Sequence, residues 1–525
     1  MRDFQRPGRS AIFAQNGICA TSHPIAAISA IDVLKSGGNA MDAAIAGALV
    51  LNLCEPHMTG LGGDCFALIS KDGSDNIEAF NGSGRAPAAI DTEALRAQGH
   101  SAIPLDSAAA VTLPGAVEAF CQMSETWGKL GISDIVQPAI HYADLGVPVA
   151  PRVAADWARL APKLQGAARE HYLHDGHAPK LGTLFRAPQQ AAVLRQIAAH
   201  GAAGFYEGDV ADDLQSSLAA MGGVHHLNDF AATRGTQTTP LRGTYQNHDL
   251  FEHPPNGQGT VAVLMLNMLK EFDVAALDPF GAERVHLEAE ITKIAYDARN
   301  RLIADPTSMD VPDILTSPEL AQKLAALVSM DKVNKTVAQT THNVHKDTVY
   351  ITVVDQNRMS VSLIYSIFHG FGTGLASQKY GILFQNRGAG FSLERGHPNE
   401  LAPRKRPMHT IIPGMLAQNG KCVMPFGVMG GQYQPCGHAR VLSNMLDFGM
   451  DPQEALDAPR AFAEGDLLTL ETGYDAATAQ ALVDKGHQVE MASEAIGGAQ
   501  AIRIHENGIL EGASDPRKDG CAIGY

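Results

Sequence analysis

Thr348 stands out in this sequence because of what surrounds it. Residues 329–347 are polar and weakly periodic, which indicates an exposed loop of the kind where chains are preferentially cut. The loop ends at Asp347, and Thr348 then opens a run of strand character. A glycine pair, Gly430-Gly431, follows later. A threonine that opens a strand is usually a β-branched structural residue. The combination makes Thr348 a candidate nucleophile.

Cleavage before Thr348 would supply the base that a threonine hydroxyl needs. The hydroxyl is a weak nucleophile, and an α-amine on the same residue is an established activating base. Free α-amines have a pKa of about 7.7–8.0, which is close to neutral pH. The same hydroxyl would attack the Asp347 carbonyl during maturation and a substrate amide during turnover. The sequence therefore predicts a large segment, 1–347, and a small segment, 348–525, of one self-cleaved precursor.

The elements upstream of Thr348 are predicted from hydrophobic periodicity. Residues 25–38 form an amphipathic helix that ends at glycines, and Asn39 caps a second, largely apolar helix. Residues 55–69 are a glycine turn that leads into a strand, and helical patterns dominate 116–302. The first segment is therefore expected to be mainly helical.

Beyond Thr348 the period changes to two, which is typical of strands. A first hairpin covers 348–355 and 359–368, and a second covers 408–417 and 421–431. Helices near 434–449 and 475–486 and a terminal hairpin over 501–513 follow. Strands with segregated helices predict layered α+β packing.

Composition excludes several classes of protein. The formal charge of −16 disfavours binding to nucleic acid. Seven cysteines with no CxxC motif argue against a disulfide framework or a zinc ribbon and fit a reducing compartment. The N-terminus lacks an apolar signal region, and the longest apolar stretch, 43–54, is too short to cross a bilayer. We expect a soluble, cytoplasmic protein without a membrane partner.

The histidine-rich stretch 171–177, HYLHDGH, raises the question of a metal site. Its spacing matches no standard zinc set, and the chain contains no HExxH motif. A solvated loop is the favoured interpretation, and we expect neither a metal nor an organic cofactor.

An ordered set of motifs resembles the γ-glutamyltransferase family along essentially the whole chain. Downstream, the motifs are TVYITVVD, YSIFHGFGTG, RKRPMHTIIP, GVMGG and GASDPR. Upstream, they are GGNAMDAAIA, EPHMTGLGG, LPGAVEAF and PPNGQGT. The resemblance implies a four-layer αββα sandwich of the N-terminal-nucleophile hydrolases, assembled from both segments of the precursor.

The resemblance also implies roles for the matching residues. Thr348 is the nucleophile, and Ser366 is a second hydroxyl residue that orients it. Gly430 and Gly431 supply backbone N–H groups to an oxyanion hole. The pair His409-Thr410 stands where the family has two serines that hold the substrate α-carboxylate.

Several residues depart from the family pattern. Phe368 replaces an asparagine, and Arg387 and Gly390 lie where acidic or amide groups grip the substrate α-amine. Ser83 replaces the large-subunit arginine that pairs with the α-carboxylate, and nearby Arg85 is expected to compensate in part. These changes remove recognition of an ammonium group and add a cation. They are similar to a γ-glutamyltransferase-like branch that includes oxamate amidohydrolase, which implies hydrolysis of a small carboxylate-bearing amide.

Each of these residues also has a structural interpretation. Arg387 would then be a surface charge, Phe368 a packing residue and His409 a strand cap, and Gly430-Gly431 would be a tight turn. Three rival functions stay open: γ-glutamyl transfer to water or amino acids, an inactive scaffold that keeps the fold, and a metal-dependent amidase. The expected partners are a small amide and the two fragments of the chain, with a homodimer or a dimer of heterodimers possible.

Overall fold

The computed structural model describes residues 8–309, 313–335 and 348–525. The helices are α1 (Pro24–Lys35), α2 (Ala40–Cys54), α3 (Thr92–Ala97), α4 (Ala116–Trp127), α5 (Ile132–Ile135), α6 (Gln137–Leu145), α7 (Pro151–Leu160), α8 (Ala167–Tyr172), α9 (Pro188–His200), α10 (Ala203–Tyr206), α11 (Gly208–Ala220), α12 (Leu227–Ala231), α13 (Gly259–Leu269), α14 (Ala282–Leu302), α15 (Pro318–Ala325), α16 (Gln434–Leu446), α17 (Pro452–Asp457) and α18 (Ala476–Asp484). None of these described helices is both long and apolar enough to cross a membrane.

The strands divide into two large sheets and two small ones. They are β1 (Ile12–Ala14), β2 (Ile18–Thr21), β3 (Asp64–Ser70), β4 (Ile77–Gly82), β5 (Val147–Pro148), β6 (Leu184–Phe185), β7 (Thr236–Thr238), β8 (Leu241–Tyr245), β9 (His248–Glu252), β10 (Val349–Val354), β11 (Ser360–Ser366), β12 (Gly414–Gln418), β13 (Lys421–Met429), β14 (Ala461–Glu464), β15 (Leu467–Leu470), β16 (Gln488–Met491), β17 (Gly498–Ile504), β18 (Leu510–Ser514) and β19 (Cys521–Gly524).

Two seven-stranded sheets form the centre of the fold. The first sheet has the order β1-β18-β17-β13-β12-β9-β8, and the second has the order β19-β2-β10-β11-β3-β4-β7. Strand β10 contacts β13 and β17 across the gap, so the sheets stack face to face. Both sheets contain strands from before and after Thr348. The parts of the chain before and after Thr348 therefore contribute strands to the same two sheets.

Helices cover the outer face of each sheet. Helices α1, α2 and α4 pack on the second sheet, and α13, α16 and α17 pack on the first. Helix α2 is buried along its whole length, as its apolar sequence predicts. The result is the predicted αββα sandwich, and its α+β class is confirmed.

Most local predictions are confirmed. Asn39 caps α2 through its side chain in a capping box with Asp42, and the predicted first helix begins at Pro24 and ends at Lys35. The first hairpin is β10 paired with β11, and the terminal hairpin is β17 paired with β18. In the histidine-rich stretch 171–177, His171 and Tyr172 end helix α8 and Tyr172 is buried, whereas the side chain of His174 is 86% exposed. The predicted solvated loop is therefore confirmed only after Tyr172.

One local prediction needs correction, and several strands were missed. The second hairpin begins at Gly414, not at 408, because residues 408–413 leave the sheet; His409 donates its backbone N–H to the Asn256 carbonyl instead. The small sheet β14-β15-β16 and the last strand β19 were not predicted. These strands are only four residues long, too short for a clear alternating pattern.

Candidate active site

Three neighbouring strand ends of the second sheet meet at one end of the sandwich. Ser366, the last residue of β11, pairs with Asp64, the first residue of β3. On the other side of β11, Tyr365 pairs with Val349. Continuing that antiparallel register by one residue places Thr348 opposite Ser366, where side chains are direct neighbours. The fold thus brings together the predicted nucleophile and the predicted second hydroxyl.

Thr348 is 2% exposed and lies on the wall of a cavity of about 250 Å³. Gly430, Tyr433, Phe462 and Lys518 also line this cavity. The cavity therefore combines the candidate nucleophile with one member of the glycine pair. Asp347, the predicted cleavage residue, lies outside the described residues.

The glycine pair follows β13 in a turn that side chains would disturb. Gly430 has a φ of 119° and Gly431 a φ of 56°, both in the left-handed region that favours glycine. A Cβ atom on Gly430 would lie 2.9 Å from the Cα atom of Gly497. Gln258 donates from Nε2 to the Gly431 carbonyl at 2.9 Å and so helps to hold the turn in place. The pair is thus a tight turn with Gly430 on the cavity wall, and its oxyanion role stays a prediction.

Arg387 is fully buried beside these residues, so it is not a surface charge. Its guanidinium donates to the Thr410 hydroxyl at 2.9 Å and to the Ser366 hydroxyl at 3.3 Å, and it stacks on the Phe368 ring with 4.1 Å to the centroid. Burial lowers the pKa of Arg387 to about 9, against the opposing negative charge of Asp64. Four predicted site residues are therefore in mutual contact.

The partners of Arg387 are uncharged groups. Its Nε atom has no hydrogen-bond partner among the described residues. A buried cation that is bonded to neutral hydroxyls is incompletely compensated. Such a guanidinium favours the entry of an anion, above all a planar carboxylate that accepts from it at two points.

His409 lies next to this cluster as a neutral ring. Its Nε2 atom is 3.2 Å from an Asp64 carboxylate oxygen, and its ring packs against Phe66 at 4.7 Å between centroids. Burial and the positive charge of Arg387 lower the pKa of His409 to about 3, although Asp64 opposes the shift. His409 therefore donates to Asp64 and does not carry a charge that would attract a substrate carboxylate.

Asp64 is held in place by donors from several parts of the chain. Its Oδ1 atom accepts from the backbone N–H of Gly84 at 2.9 Å and of Gly115 at 3.1 Å, and from Gln385 Nε2 at 3.0 Å. With His409 on the other oxygen, the carboxylate is fully engaged. No direct ion pair between Asp64 and Arg387 is present in the described structure.

Thr410 connects the Arg387 cluster to the glycine turn. Its carbonyl accepts from Gln258 Nε2 at 2.6 Å, and the same amide nitrogen bonds to the Gly431 carbonyl. Arg299 donates to the amide oxygen of Gln258 at 2.8 Å. The residues that would bind substrate and those that would stabilise an oxyanion thus share one buried support.

Ser83 and Arg85 take other positions. Ser83 is buried and donates to the Asn81 side chain at 2.6 Å. Arg85 is 43% exposed at its side chain, lies 3.3 Å from Asp305 and donates to the Arg404 carbonyl at 3.0 Å. Its observed partners lie outside the Arg387 cluster, so a role for Arg85 in substrate binding stays a prediction without a supporting contact.

Sequence reasoning missed Asp64, Gln258 and Lys518. The first two lie inside motifs that were noted only for their glycines, GLGGDC and NGQGT. A charged residue at the start of an apolar strand, as Asp64 is, was an available signal because buried charges are rare without a function or a partner. Lys518 is 6% exposed on the cavity wall and directly follows the motif GASDPR in the sequence.

Comparisons with known proteins identify the family of this chain. The family model for gamma-glutamyltranspeptidase matches residues 26–525. A glutathione hydrolase-like proenzyme of Bacillus subtilis, YwrD, is 35% identical over 96% of this chain and 97% of its own length. The oxamate amidohydrolase proenzyme of Klebsiella pneumoniae is 36% identical over 97% of this chain and 98% of its own.

The fold is shared with a solved structure over its full length. The crystal structure of a cephalosporin acylase from Bacillus halodurans has a TM-score of 0.92, with 36% identity over 100% of this chain and 99% of that one. The four-layer sandwich is thus an N-terminal-nucleophile hydrolase fold. On the match of the family model, the two full-length relatives and the shared fold, the chain belongs to the γ-glutamyltranspeptidase family.

Proposed function

We propose that this protein is a self-cleaving N-terminal-threonine amidohydrolase that acts on a small amide bearing a carboxylate, of which oxamate is the simplest example. The observation that carries the substrate class is Arg387. It is a buried guanidinium bonded to two neutral hydroxyls, with Nε left unpartnered among the described residues. The name of the Klebsiella pneumoniae relative supports the same class.

Maturation is the first reaction in this proposal. The Thr348 hydroxyl attacks the carbonyl carbon of Asp347, and the peptide bond is replaced by an ester. Water hydrolyses the ester, which leaves a carboxylate on Asp347 and a free α-amine on Thr348. Relatives named as proenzymes support this step.

Turnover uses the new amine as its base. The amine takes the proton of the Thr348 hydroxyl as Oγ1 attacks the amide carbon, and the glycine turn holds the resulting oxyanion through its N–H groups. The C–N bond breaks, the proton passes to the departing ammonia, and an acyl ester remains on Thr348. The same amine then activates a water molecule that releases the acid.

A γ-glutamyl hydrolase or transferase is the second candidate, and one observation favours it. Acidic side chains, Glu464 and Glu490 among them, line the cavity that contains Thr348. Such groups would suit the ammonium of a glutamyl group or of an amino-acid acceptor. Arg387 is absent from the lining of this cavity.

Denaturing gel electrophoresis tests the first step. The purified chain should separate into fragments that correspond to residues 1–347 and 348–525, and the smaller fragment should begin with Thr348. Thr348→Ala should stay intact, and Thr348→Ser should cleave in part because it keeps a hydroxyl. An unprocessed wild-type chain would instead support an inactive scaffold.

Substrate class is tested on the cleaved protein. Release of ammonia from oxamate should exceed release of p-nitroaniline from γ-glutamyl-p-nitroanilide. The opposite order would establish the second candidate. Loss of activity in a chelator would revive a metal-dependent amidase.

A further inference from the structure

Residues 329–335, here called the pre-cleavage segment, form the described part of the loop that precedes Thr348. Their backbone is held by side chains of two distant elements. One element is helix α14, which belongs to the large segment. The other is the turn 485–487 after α18, which belongs to the small segment. The pre-cleavage segment is thus fixed between both parts of the chain.

One histidine binds the start of the pre-cleavage segment, and a second histidine supports it. His286 Nε2 is 2.7 Å from the Ser329 carbonyl, and His286 Nδ1 is 2.8 Å from His487 Nε2. A carbonyl accepts, so His286 carries its proton on Nε2 and its Nδ1 accepts from His487. Both rings are buried, which makes this chain of hydrogen bonds costly to break.

Charged groups bind the rest of the segment. Lys485 Nζ donates to the Met330 carbonyl at 2.7 Å, and the Lys485 carbonyl accepts from the Val333 N–H at 3.0 Å. The Glu290 carboxylate accepts from the Asn334 N–H at 2.8 Å. Lys293 pairs with Glu290 and also reaches the Asn334 carbonyl at 3.3 Å.

This cluster is better explained by its own contacts than by a metal ion. His286, Glu290 and His487 do place possible ligand atoms within 4.8 Å of one another. However, Lys293 already neutralises Glu290, and the two rings satisfy each other. Burial lowers the pKa of His487 to about 3, and the nearby His286 and the ammonium groups of Lys293 and Lys485 add to this shift. The arrangement therefore stays neutral at the rings and is set for hydrogen bonding to the backbone.

We propose that His286, Glu290, Lys293, Lys485 and His487 form a clamp that positions the loop for self-cleavage. They are positioning residues for maturation and take no part in turnover, because none of them lines the cavity with Thr348 or contacts the Arg387 cluster in the described structure. The inference rests on the self-cleavage proposed above.

The position of the clamp along the chain indicates how much its loss should slow self-cleavage. Twelve residues, 336–347, separate the clamped segment from Thr348. Without the clamp, the nearest described element before Thr348 would be α15, which ends at Ala325. The number of residues between that anchor and Thr348 would roughly double, which slows loop closure by only about threefold. Misplacing an attacking group by one ångström costs on the order of 100-fold. A clamp that sets geometry should therefore slow cleavage by roughly 10- to 100-fold when lost.

The experiment compares two clamp variants with matched controls. His286→Leu is paired with His225→Leu, because His225 is also buried and its Nε2 atom also lies 3.0 Å from a backbone carbonyl, that of Val111. Lys485→Met is paired with Lys379→Met, a lysine of the small segment whose ion pair with Asp209 lies on the surface. Full-length protein is made in a short cell-free pulse, and the fragments are followed on gels during the chase.

Both clamp variants should cleave at least tenfold more slowly than wild type, and both controls should cleave at the wild-type rate. His286→Gln, which keeps a donor, should recover part of the rate. Once cleaved, the clamp variants should match wild type in kcat and KM.

Cleavage within threefold of wild type would overturn the clamp, as would equal slowing in the controls or a lower kcat after cleavage. If His286→Leu fails to fold, Lys485→Met still tests the proposal, because Lys485 is only half-buried. A wild-type chain that never cleaves would refute self-cleavage itself, which is a separate outcome.

Discussion

Replacing Arg387 gives the sharpest test of the proposed substrate class. Arg387→Ala removes a fully buried guanidinium that donates to the hydroxyls of Ser366 and Thr410. Two effects follow. The substrate carboxylate loses its cation, and the two hydroxyls lose a donor that helps to place them. The first effect depends on the charge of the substrate, whereas the second does not.

The magnitude follows from the surroundings of the guanidinium. A hydrogen bond to a charged group contributes about 1.5–3 kcal/mol, and a carboxylate facing Arg387 would accept at least one such bond in a site with little water. Desolvation of the substrate offsets part of the gain. We expect a net loss of about 2–3 kcal/mol, or roughly 30- to 150-fold in kcat/KM, for a carboxylate-bearing amide.

The assay uses two amides of nearly the same shape. Oxamate carries a carboxylate next to its amide, and oxamide carries a second, neutral amide in that place. Release of ammonia from each is measured with wild type, Arg387→Ala and Arg387→Lys. Arg406→Ala is the control for loss of a buried arginine, because Arg406 is also buried but donates from Nε to the Ser83 carbonyl at 3.0 Å.

The ratio of kcat/KM for oxamate to that for oxamide decides the question. It should fall by the full factor in Arg387→Ala, fall less in Arg387→Lys and stay constant in Arg406→Ala. A parallel loss for both amides in Arg387→Ala would show that the guanidinium only orders Ser366 and Thr410. The assignment of the carboxylate to Arg387 would then be wrong.

Two further predictions concern the chemical steps. Gly430→Ala should lower kcat by about 10²- to 10³-fold, because the added Cβ atom would displace the oxyanion donors. The φ of Gly430 is 119°, and the close approach of Gly497 leaves no room for Cβ. The control Gly222→Ala should leave kcat unchanged, because Gly222 has a φ of 82° but lies in open space. In a pH profile, kcat/KM should rise with pH through the pKa of the Thr348 amine, ordinarily about 7.7–8.0, since only the neutral amine accepts a proton. The rate of self-cleavage should lack that rise because the precursor has no free amine there, and a profile of turnover that is flat from pH 5 to 9 would contradict the role of the amine.

The order of strands and helices was largely accessible from the sequence because its periodic signals are strong. The alternation in 348–366 and the capping residue Asn39 each predict an element that the structure contains. Pairing across long distances was not accessible. Strand β10 lies between β2 and β11, and this arrangement depends on a contact between Ile351 and Thr21, far apart along the chain.

Part of the candidate site could also be predicted from local features of the sequence. Thr348 is recognisable from its position after a cleavable loop, and Arg387 from its departure from a family pattern; the structure places both next to Ser366. Asp64 and Gln258 make contacts with residues more than 150 positions away. Local sequence carries no record of such contacts, so their supporting roles emerge only from the folded chain.

The position of Asp64 explains how Arg387 stays available. A buried aspartate and a buried arginine in the same cluster would be expected to pair directly, and the guanidinium would then be unavailable to other anions. Instead, two backbone N–H groups, Gln385 and His409 occupy the Asp64 oxygens and hold the carboxylate away from the guanidinium. Asp64 thus lessens the electrostatic cost of burying Arg387 without blocking it.

This arrangement also connects the Arg387 cluster to both segments of the proposed precursor. The donors to Asp64 come from both sides of the proposed cleavage point: Gly84 and Gly115 lie in the large segment, and Gln385 and His409 lie in the small one. The two segments must therefore stay together after the proposed cleavage, because neither alone supplies all the donors that hold Asp64. Cleavage would add the α-amine of Thr348, which is the base that the proposed reaction requires.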